Sequence, residues 1–248
     1  MEGRRSVREL LAAARRPVRD VWVSETIDEG PLIAEILDLA GEAGVPVRRV
    51  SRGRLDAEAR TDAAQGVLAH ARPLEEVALE DLCRPTLGGG VPTSGGGQPF
   101  LLVLDGITDP QNLGALIRTA DGAGATGLVL PRHRAAHITA AVTKAAAGAV
   151  EHLPIAVVPG IAGALSVISR LGVWTVGLDG DADQPLWGLD LAAEPVALVL
   201  GAEGSGLSRL VRDRCDVVVA IPQRGHLPSL NVAAAGAVAA FEIARRRS

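Results

Sequence analysis

Residues 100–120 read FLLVLDGITDPQNLGALIRTA. Phe100 to Leu104 form an apolar run of strand length with no polar break, the pattern of a strand buried on both faces. A polar loop follows. The next stretch repeats its apolar residues at helical spacing and predicts a helix over 113–123. Strand, polar loop and helix in that order open a βαβ unit. Downstream the alternation recurs. Strands are expected at 128–131, up to 158, and at 173–178, 196–200 and 217–221. Helices are expected at 135–149, 161–171 and 230–246. Near-continuous apolar strands between helices imply an α/β domain with a mainly parallel sheet covered on both faces. Such sheets bind ligands beyond the carboxyl ends of their strands, so the loops after Leu104, Leu200 and Ile221 are where chemistry is expected.

Upstream the alternation is on a smaller scale. It predicts helices at 6–14, 31–43 and 54–59 and strands at 18–23, 45–50 and 66–71, with Pro31 suited to a first helical turn. A glycine- and proline-rich stretch, residues 87–99, can bury little apolar surface and reads as a linker. The expected domains are therefore 1–86, the linker 87–99, and 100–248.

Composition narrows the function classes. No stretch approaches the roughly 18 apolar residues of a membrane span. The opening MEGRRSVRELLAAARR lacks the apolar core and cleavage site of an export signal, so a cytoplasmic protein without membrane association is expected. Cys83 and Cys215 stand far apart, make no metal-like cluster and read as reduced packing thiols; no metal is expected. The net charge of −4 gives no overall basic footprint. Lys144 is the only lysine among 25 basic residues. Arginines gather at Arg4, Arg5, Arg8, Arg15, Arg16 and Arg19, and again at Arg48, Arg49, Arg52 and Arg54; each cluster reads as a solvated face or as a set of phosphate contacts. With no tyrosine and two phenylalanines, an aromatic base-stacking sheet is excluded.

Each of the three loops carries unusual residues. In the first, Asn112 suits a helix N-cap, and Arg118 follows within the expected first two turns. The helix macrodipole does not favour a cation there, and an anion held at that helix start would account for both residues. The second, Leu200-Gly-Ala-Glu-Gly-Ser-Gly-Leu207, has glycines at 201, 204 and 206, which permit sharp turns and close approach to a ligand. Their spacing is neither the dinucleotide pattern nor a P-loop. Glu203 is either a solvated loop acid or a carboxylate facing the ligand crevice. In the third, Ser229 suits the cap that opens an alanine-rich helix, Asn231 is a poor helix former placed early in that helix, and His226 reads as a loop residue.

As a set, the segments NLGALIRTAD, LVLGAEGSGL and IPQRGHLPSLNVAAAGAVAAFE resemble the three motifs of the SpoU/TrmH RNA 2′-O-ribose methyltransferases, in the same order, over roughly residues 100–246. The N-terminal part resembles that family's substrate-binding domain, which is similar to ribosomal protein L30e. It departs at Ala64, where related sequences usually carry histidine before Gln-Gly-Val. The two-part architecture is most similar to the type that methylates a guanosine of 23S ribosomal RNA. The resemblance implies a C-terminal α/β knot (a deep trefoil), S-adenosylmethionine held largely by backbone at Gly201, Ile221 and Leu230, and catalytic or substrate roles for Asn112, Arg118, Glu203, Ser229 and Asn231. It also implies an RNA partner and a homodimer, which the alanine-rich last helix would suit. A transfer-RNA methyltransferase and a non-catalytic or resistance protein that binds ribosomal RNA stay open as alternatives. The joint presence of the five polar residues argues against a degenerate enzyme.

In the expected reaction a ribose 2′-oxygen attacks the sulfonium methyl of S-adenosylmethionine in line. Arginine stays protonated, so Arg118 is expected to grip the adjacent phosphate and ease loss of the hydroxyl proton rather than act as a base. Asn112 and Ser229 would orient ribose or the neighbouring loops, Glu203 would order the second loop, and Asn231 would hold the third.

Overall fold

The computed structural model describes residues 1–28, 30–61, 64–85, 97–190, 194–226 and 229–247. Residues 87–96 of the expected linker lie outside the described residues. In chain order the elements are α1 (Arg4–Ala13), β1 (Val18–Ser24), α2 (Pro31–Glu42), β2 (Val47–Val50), α3 (Arg52–Glu58), β3 (Val67–Ala71), α4 (Leu79–Leu82), β4 (Phe100–Leu104), α5 (Pro110–Gly122) and β5 (Gly127–Pro131). They continue with α6 (Ala140–Ala145), β6 (Ile155–Val158), α7 (Ile161–Arg170), β7 (Trp174–Leu178), β8 (Gln184–Pro185), β9 (Val196–Leu200), α8 (Arg209–Arg212), β10 (Val217–Ala220) and α9 (Val232–Arg247). Packing divides them into two compact units: Met1–Glu75 with His137–His152, and Glu76–Ala136 with Leu153–Ser248. Residues 137–152, inside the stretch expected as 100–248, thus pack with the N-terminal unit.

That unit holds a three-stranded mixed sheet in the order β2-β1-β3, with β1 parallel to β2 and antiparallel to β3. Alternate strand residues face opposite sides. Val21, Val23, Val67 and Ala69 bury one face against Val7 and Leu10 of α1 and Ile33 and Ile36 of α2. On the other face the Arg54 guanidinium of α3 lies 5.1 Å from the Trp22 ring centre, and His70 Nδ1 is 2.6 Å from Asp20 Oδ1. Ala64 is buried there, in a cluster with Val50 and Leu55.

The helix expected over 135–149 is much shorter. Thr139 caps α6 by accepting the Val142 N–H on its hydroxyl, so the residues before it stay outside the helix. Left-handed Ala147 (φ 52°) and Gly148 (φ 91°) then end it. Alanine tract and apolar spacing alone hid both signals. The segment closes on Glu151, which is fully buried and receives Arg16 Nε at 3.0 Å and Nη2 at 2.5 Å, while Arg15 Nη1 donates to its carbonyl at 3.0 Å.

The second unit carries a seven-stranded sheet in the order β6-β5-β4-β9-β7-β10-β8, every described pairing parallel. This is the covered parallel sheet that the apolar runs imply. Leu101, Val103, Val129 and Val199 face Leu79 and Leu82 of α4 and Ile161 and Leu165 of α7. On the opposite face α5 and α9 pack closely. A Cβ on Gly236 of α9 would lie 2.4 Å from Leu116 Cδ2 of α5 and 2.8 Å from Leu200 Cδ1 of β9. The glycine is what lets the two helices and the sheet approach.

Candidate active site

The loop after β4 enters α5 through Asp109. Its carboxylate accepts the Gln111 and Asn112 N–H groups, each at 3.2 Å, and Pro110 takes the first helical position. The cap is therefore Asp109 and not Asn112. Asn112 is already helical and buried, which frees its amide for other partners. Because the helix starts at Pro110, Arg118 falls in its third turn. An anion at the helix start therefore does not account for this arginine. Arg118 is exposed, and none of the described residues pairs with it.

The loop after β9 is a tight turn. Ala202 and Gly206 exchange backbone hydrogen bonds, Ala202 N to Gly206 O at 3.0 Å and Gly206 N to Ala202 O at 2.9 Å. A Cβ on Gly201 would fall 2.1 Å from the Gly206 carbonyl, so no other residue fits there without moving the turn. The turn presents Glu203.

The third loop reaches α9 through Asn231. Its Oδ1 accepts the Ala233 N–H at 2.9 Å and the Ala234 N–H at 3.3 Å. Asn231 is the cap of the last helix, so the helix starts later than Ser229, the residue expected to open it. The property that makes asparagine a poor helix former, a short side chain that bonds nearby backbone, makes it a good cap.

These three polar side chains meet. Asn112 Nδ2 donates to Glu203 Oε2 at 2.7 Å, Asn231 Nδ2 donates to Glu203 Oε1 at 3.3 Å, and Asn231 Nδ2 also lies 3.1 Å from Asn112 Oδ1. One carboxylate thereby ties loops that are 91 and 28 residues away in sequence.

Beside the cluster lies a cavity of about 370 Å³. Gly201, Glu203, Ile221, Ser229 and Leu230 all line it, with Leu178, Asp179, Gly180 and Asp181 from the loop after β7. Arg118 and Asn112 are not in the lining. The loop after β7 was not among those singled out, although the same strand-end rule points to it once β7 is placed beside β9 and β10. Arg212 Nε donates to Asp179 Oδ2 at 3.1 Å, and the other Asp179 oxygen accepts the Asp181 N–H at 3.0 Å, which holds this wall in place. The lining combines apolar side chains (Leu178, Leu200, Ile221, Val232) with carboxylates and glycine backbone, a set that suits a ligand carrying both apolar and cationic groups. Among the described residues no group of His, Cys, Asp and Glu is placed to hold a metal, and no helix is long and apolar enough to cross a membrane.

Comparison with known proteins gives the family. The profile of the SpoU rRNA Methylase family matches residues 99–241, and the profile described as RNA 2′-O ribose methyltransferase substrate binding matches residues 1–77. The chain belongs to the SpoU rRNA methylase family. It is thus a methyltransferase, and S-adenosylmethionine is the methyl donor of that family. Among its relatives, the 23S rRNA (guanosine-2′-O-)-methyltransferase RlmB of Pseudomonas putida is 39% identical, over 99% of this chain and 95% of that protein. The putative TrmH family tRNA/rRNA methyltransferase YacO of Bacillus subtilis is 36% identical, over 99% of this chain and 95% of that protein. An AdoMet-bound rRNA methyltransferase from Sinorhizobium meliloti superposes with a TM-score of 0.78 at 26% identity, covering 99% of this chain and 86% of the other.

Proposed function

We propose that this protein methylates the ribose 2′-hydroxyl of a guanosine in 23S ribosomal RNA, working as a homodimer, with residues 1–86 selecting the RNA and residues 100–248 carrying the chemistry. The carrying observation is the Asn112–Glu203–Asn231 cluster, which pins the three motif loops around one cavity. The substrate comes from the relatives named above and from the substrate-binding profile over residues 1–77.

The cavity residues fit S-adenosylmethionine. Glycine backbone at 201 allows close approach, Leu178, Leu200, Ile221 and Val232 offer an apolar slot, and Asp179, Asp181 and Glu203 supply negative charge for a cation. When bound there, the cofactor supplies an already activated methyl group on a sulfonium centre. The chain then has to position the ribose and ease removal of its proton.

Asn112 spends its amide on Glu203 and Asn231, and acts as a positioning residue together with them. Ser229, exposed at the cavity rim, is free to orient the ribose. Arg118 grips the phosphate next to the reacting hydroxyl. Its fixed charge stabilises the developing alkoxide, and the phosphate or a water takes the proton.

The homodimer rests on the outer face of α5 and α9. Ala234, Val238 and Phe241 form an exposed stripe at helical spacing, with Phe241 51% exposed. A Cβ on Gly122 would touch Phe241, and Arg118 lies one helical turn before Gly122. Arg118 therefore borders the apolar stripe and not its own chain's cavity. A second copy on this face buries Phe241 and completes the site with Arg118. The knotted path implied for this family is part of the same proposal.

The test is methylation of unmodified large-subunit RNA by the purified protein with S-adenosylmethionine, followed by mapping of 2′-O-methyl sites. A single modified guanosine is expected. Modification of transfer RNA alone would refute the substrate, and no methyl transfer to any RNA would refute the activity.

A further inference from the structure

A second cavity, of about 840 Å³, opens at the carboxyl ends of β4, β5, β6 and β9. Its size lies within the roughly 300–1,000 Å³ of small-ligand sites. One turn separates it from the cofactor cavity: Ala202, Ser205 and Gly206 line both. The paired backbone bonds between Ala202 and Gly206 make that turn a fixed partition. Methyl transfer requires the accepting oxygen about 3–3.5 Å from the methyl carbon. A strand whose ribose reaches the first cavity must lay its next segment within a few ångströms, and this second space is one turn away.

The lining chemistry matches a nucleotide. Arg134 stands at the wall, exposed, with no ion pair or hydrogen bond to any described residue, whereas the neighbouring Arg132 lies 3.8 Å from Glu76. Arg134 also holds a left-handed backbone (φ 59°), rare for a residue with a side chain. His133 beside it is likewise exposed and unpartnered among the described residues. Pro131, Pro159 and Ile161 give an apolar floor. Asp105 is the only carboxylate in the lining; one of its oxygens accepts the Ser208 N–H at 3.1 Å. A bare anion gains nothing from that carboxylate. A nucleotide uses both signs, phosphate oxygens as acceptors and base amino or imino groups as donors.

We propose that this second cavity seats the RNA nucleotide adjacent to the methylated one, with Arg134 on its phosphate, Pro131 and Ile161 under its base and Asp105 at the base edge. The proposal rests on the RNA-methyltransferase assignment above. It is distinct from the Arg118 clamp, which lies outside this cavity.

The test uses the full chain with Arg134→Asn and Arg134→Gly, both of which accept the left-handed backbone, and Asp105→Asn as a second probe. RNA affinity is measured by fluorescence across a salt series, S-adenosylmethionine affinity by calorimetry, and methyl transfer by kcat/KM. Loss of one charge-assisted phosphate contact should weaken RNA binding and kcat/KM about tenfold to a hundredfold. It should also flatten the slope of log affinity against log salt by about 0.7–0.9, with cofactor affinity within twofold of wild type. Unchanged RNA affinity and slope in both Arg134 variants would overturn the proposal, as would an equal loss of cofactor affinity, which would place Arg134 in the support of the shared turn. Absence of methyl transfer to RNA by the unaltered protein would overturn the assignment on which this proposal rests, whereas the Arg134 results bear on the second cavity alone.

Discussion

Glu203→Ala removes the one group that both amides of the cluster address. The bond from buried Asn112 at 2.7 Å is short and goes to a charged acceptor, and such bonds contribute about 1.5–3 kcal/mol net. The 3.3 Å contact from Asn231 is longer and exposed, and adds about 0.5 kcal/mol on the same scale. Some 2–3.5 kcal/mol thus holds the three loops in the arrangement that forms the proposed cofactor cavity. At about 1.4 kcal/mol per tenfold, losing it raises the Kd for S-adenosylmethionine about 30- to 300-fold. Glu203→Gln keeps one acceptor oxygen but turns an amide donor toward a donor, and should fall between. The decisive experiment is a double-mutant cycle with Asn112→Ala, read by calorimetric titration of the cofactor. Once Glu203 is gone, Asn112 keeps only its 3.1 Å bond from Asn231, worth about 1 kcal/mol, so the two changes should still be non-additive by about 1.5–2 kcal/mol. If the losses add within about 0.5 kcal/mol, or if Glu203→Ala binds within threefold of wild type, the cluster does not hold the cavity.

Four further outcomes follow from the packing. Glu151→Ala leaves the Arg16 side chain, 13% exposed, without its fully buried carboxylate. Breaking such a pair costs about 3–5 kcal/mol, so calorimetry should show the N-terminal unit melting at least about 12 °C lower, and adding Arg16→Met should restore most of the loss. Gly236→Ala puts a methyl 2.4 Å from Leu116 Cδ2; this overpacking should cost about 1–3 kcal/mol in urea unfolding, and a neutral result would mean that α5 and α9 separate easily. Phe241→Glu places a charge on the apolar stripe and should convert a dimer to a monomer in light scattering, with methyl transfer lost and cofactor binding retained in the monomer. Burial pushes the Cys215 thiol up to about 12 and the Cys83 thiol up to about 11, so at pH 8 both should react slowly with a disulfide reagent in the native protein and rapidly in denaturant.

What the sequence revealed and what it hid divides along physical lines. The strands of the larger sheet were legible because five-residue apolar runs such as Phe100–Leu104 and Val196–Leu200 fit a strand covered on both faces and little else, and all of these residues are buried. The helix at 135–149 was not, because an alanine-rich tract looks helical whatever ends it. The stop comes from Thr139 and from the positive φ of Ala147 and Gly148, and the attachment of residues 137–152 to the N-terminal unit comes from Glu151 and Arg16, 135 residues apart. No local pattern encodes that distance. At the site, residue types and spacing pointed to Asn112, Glu203 and Asn231 one loop at a time. Their mutual bonds span 28 to 119 residues and are visible only in the folded chain. Asp109, a stronger cap than Asn112 because Pro110 follows it, was within reach of the same capping rules, and so was the loop at Asp179.

The turn between β9 and α8 shows why so much chemistry gathers on so few side chains. Its shape is set by backbone: Gly201 has no room for a Cβ against Gly206, and Gly204 and Gly206 hold φ values of 83° and 64°. Glycine costs conformational entropy, and a turn with three of them would be loose if nothing held its tip. Glu203 supplies the missing restraint, because its carboxylate is bonded to a helix residue on one side and a helix cap on the other. A backbone that must lie close to a ligand cannot be stiffened by bulky side chains, so it is stiffened from outside by charge-assisted hydrogen bonds. That requirement accounts for a carboxylate flanked by glycine and alanine at this strand end.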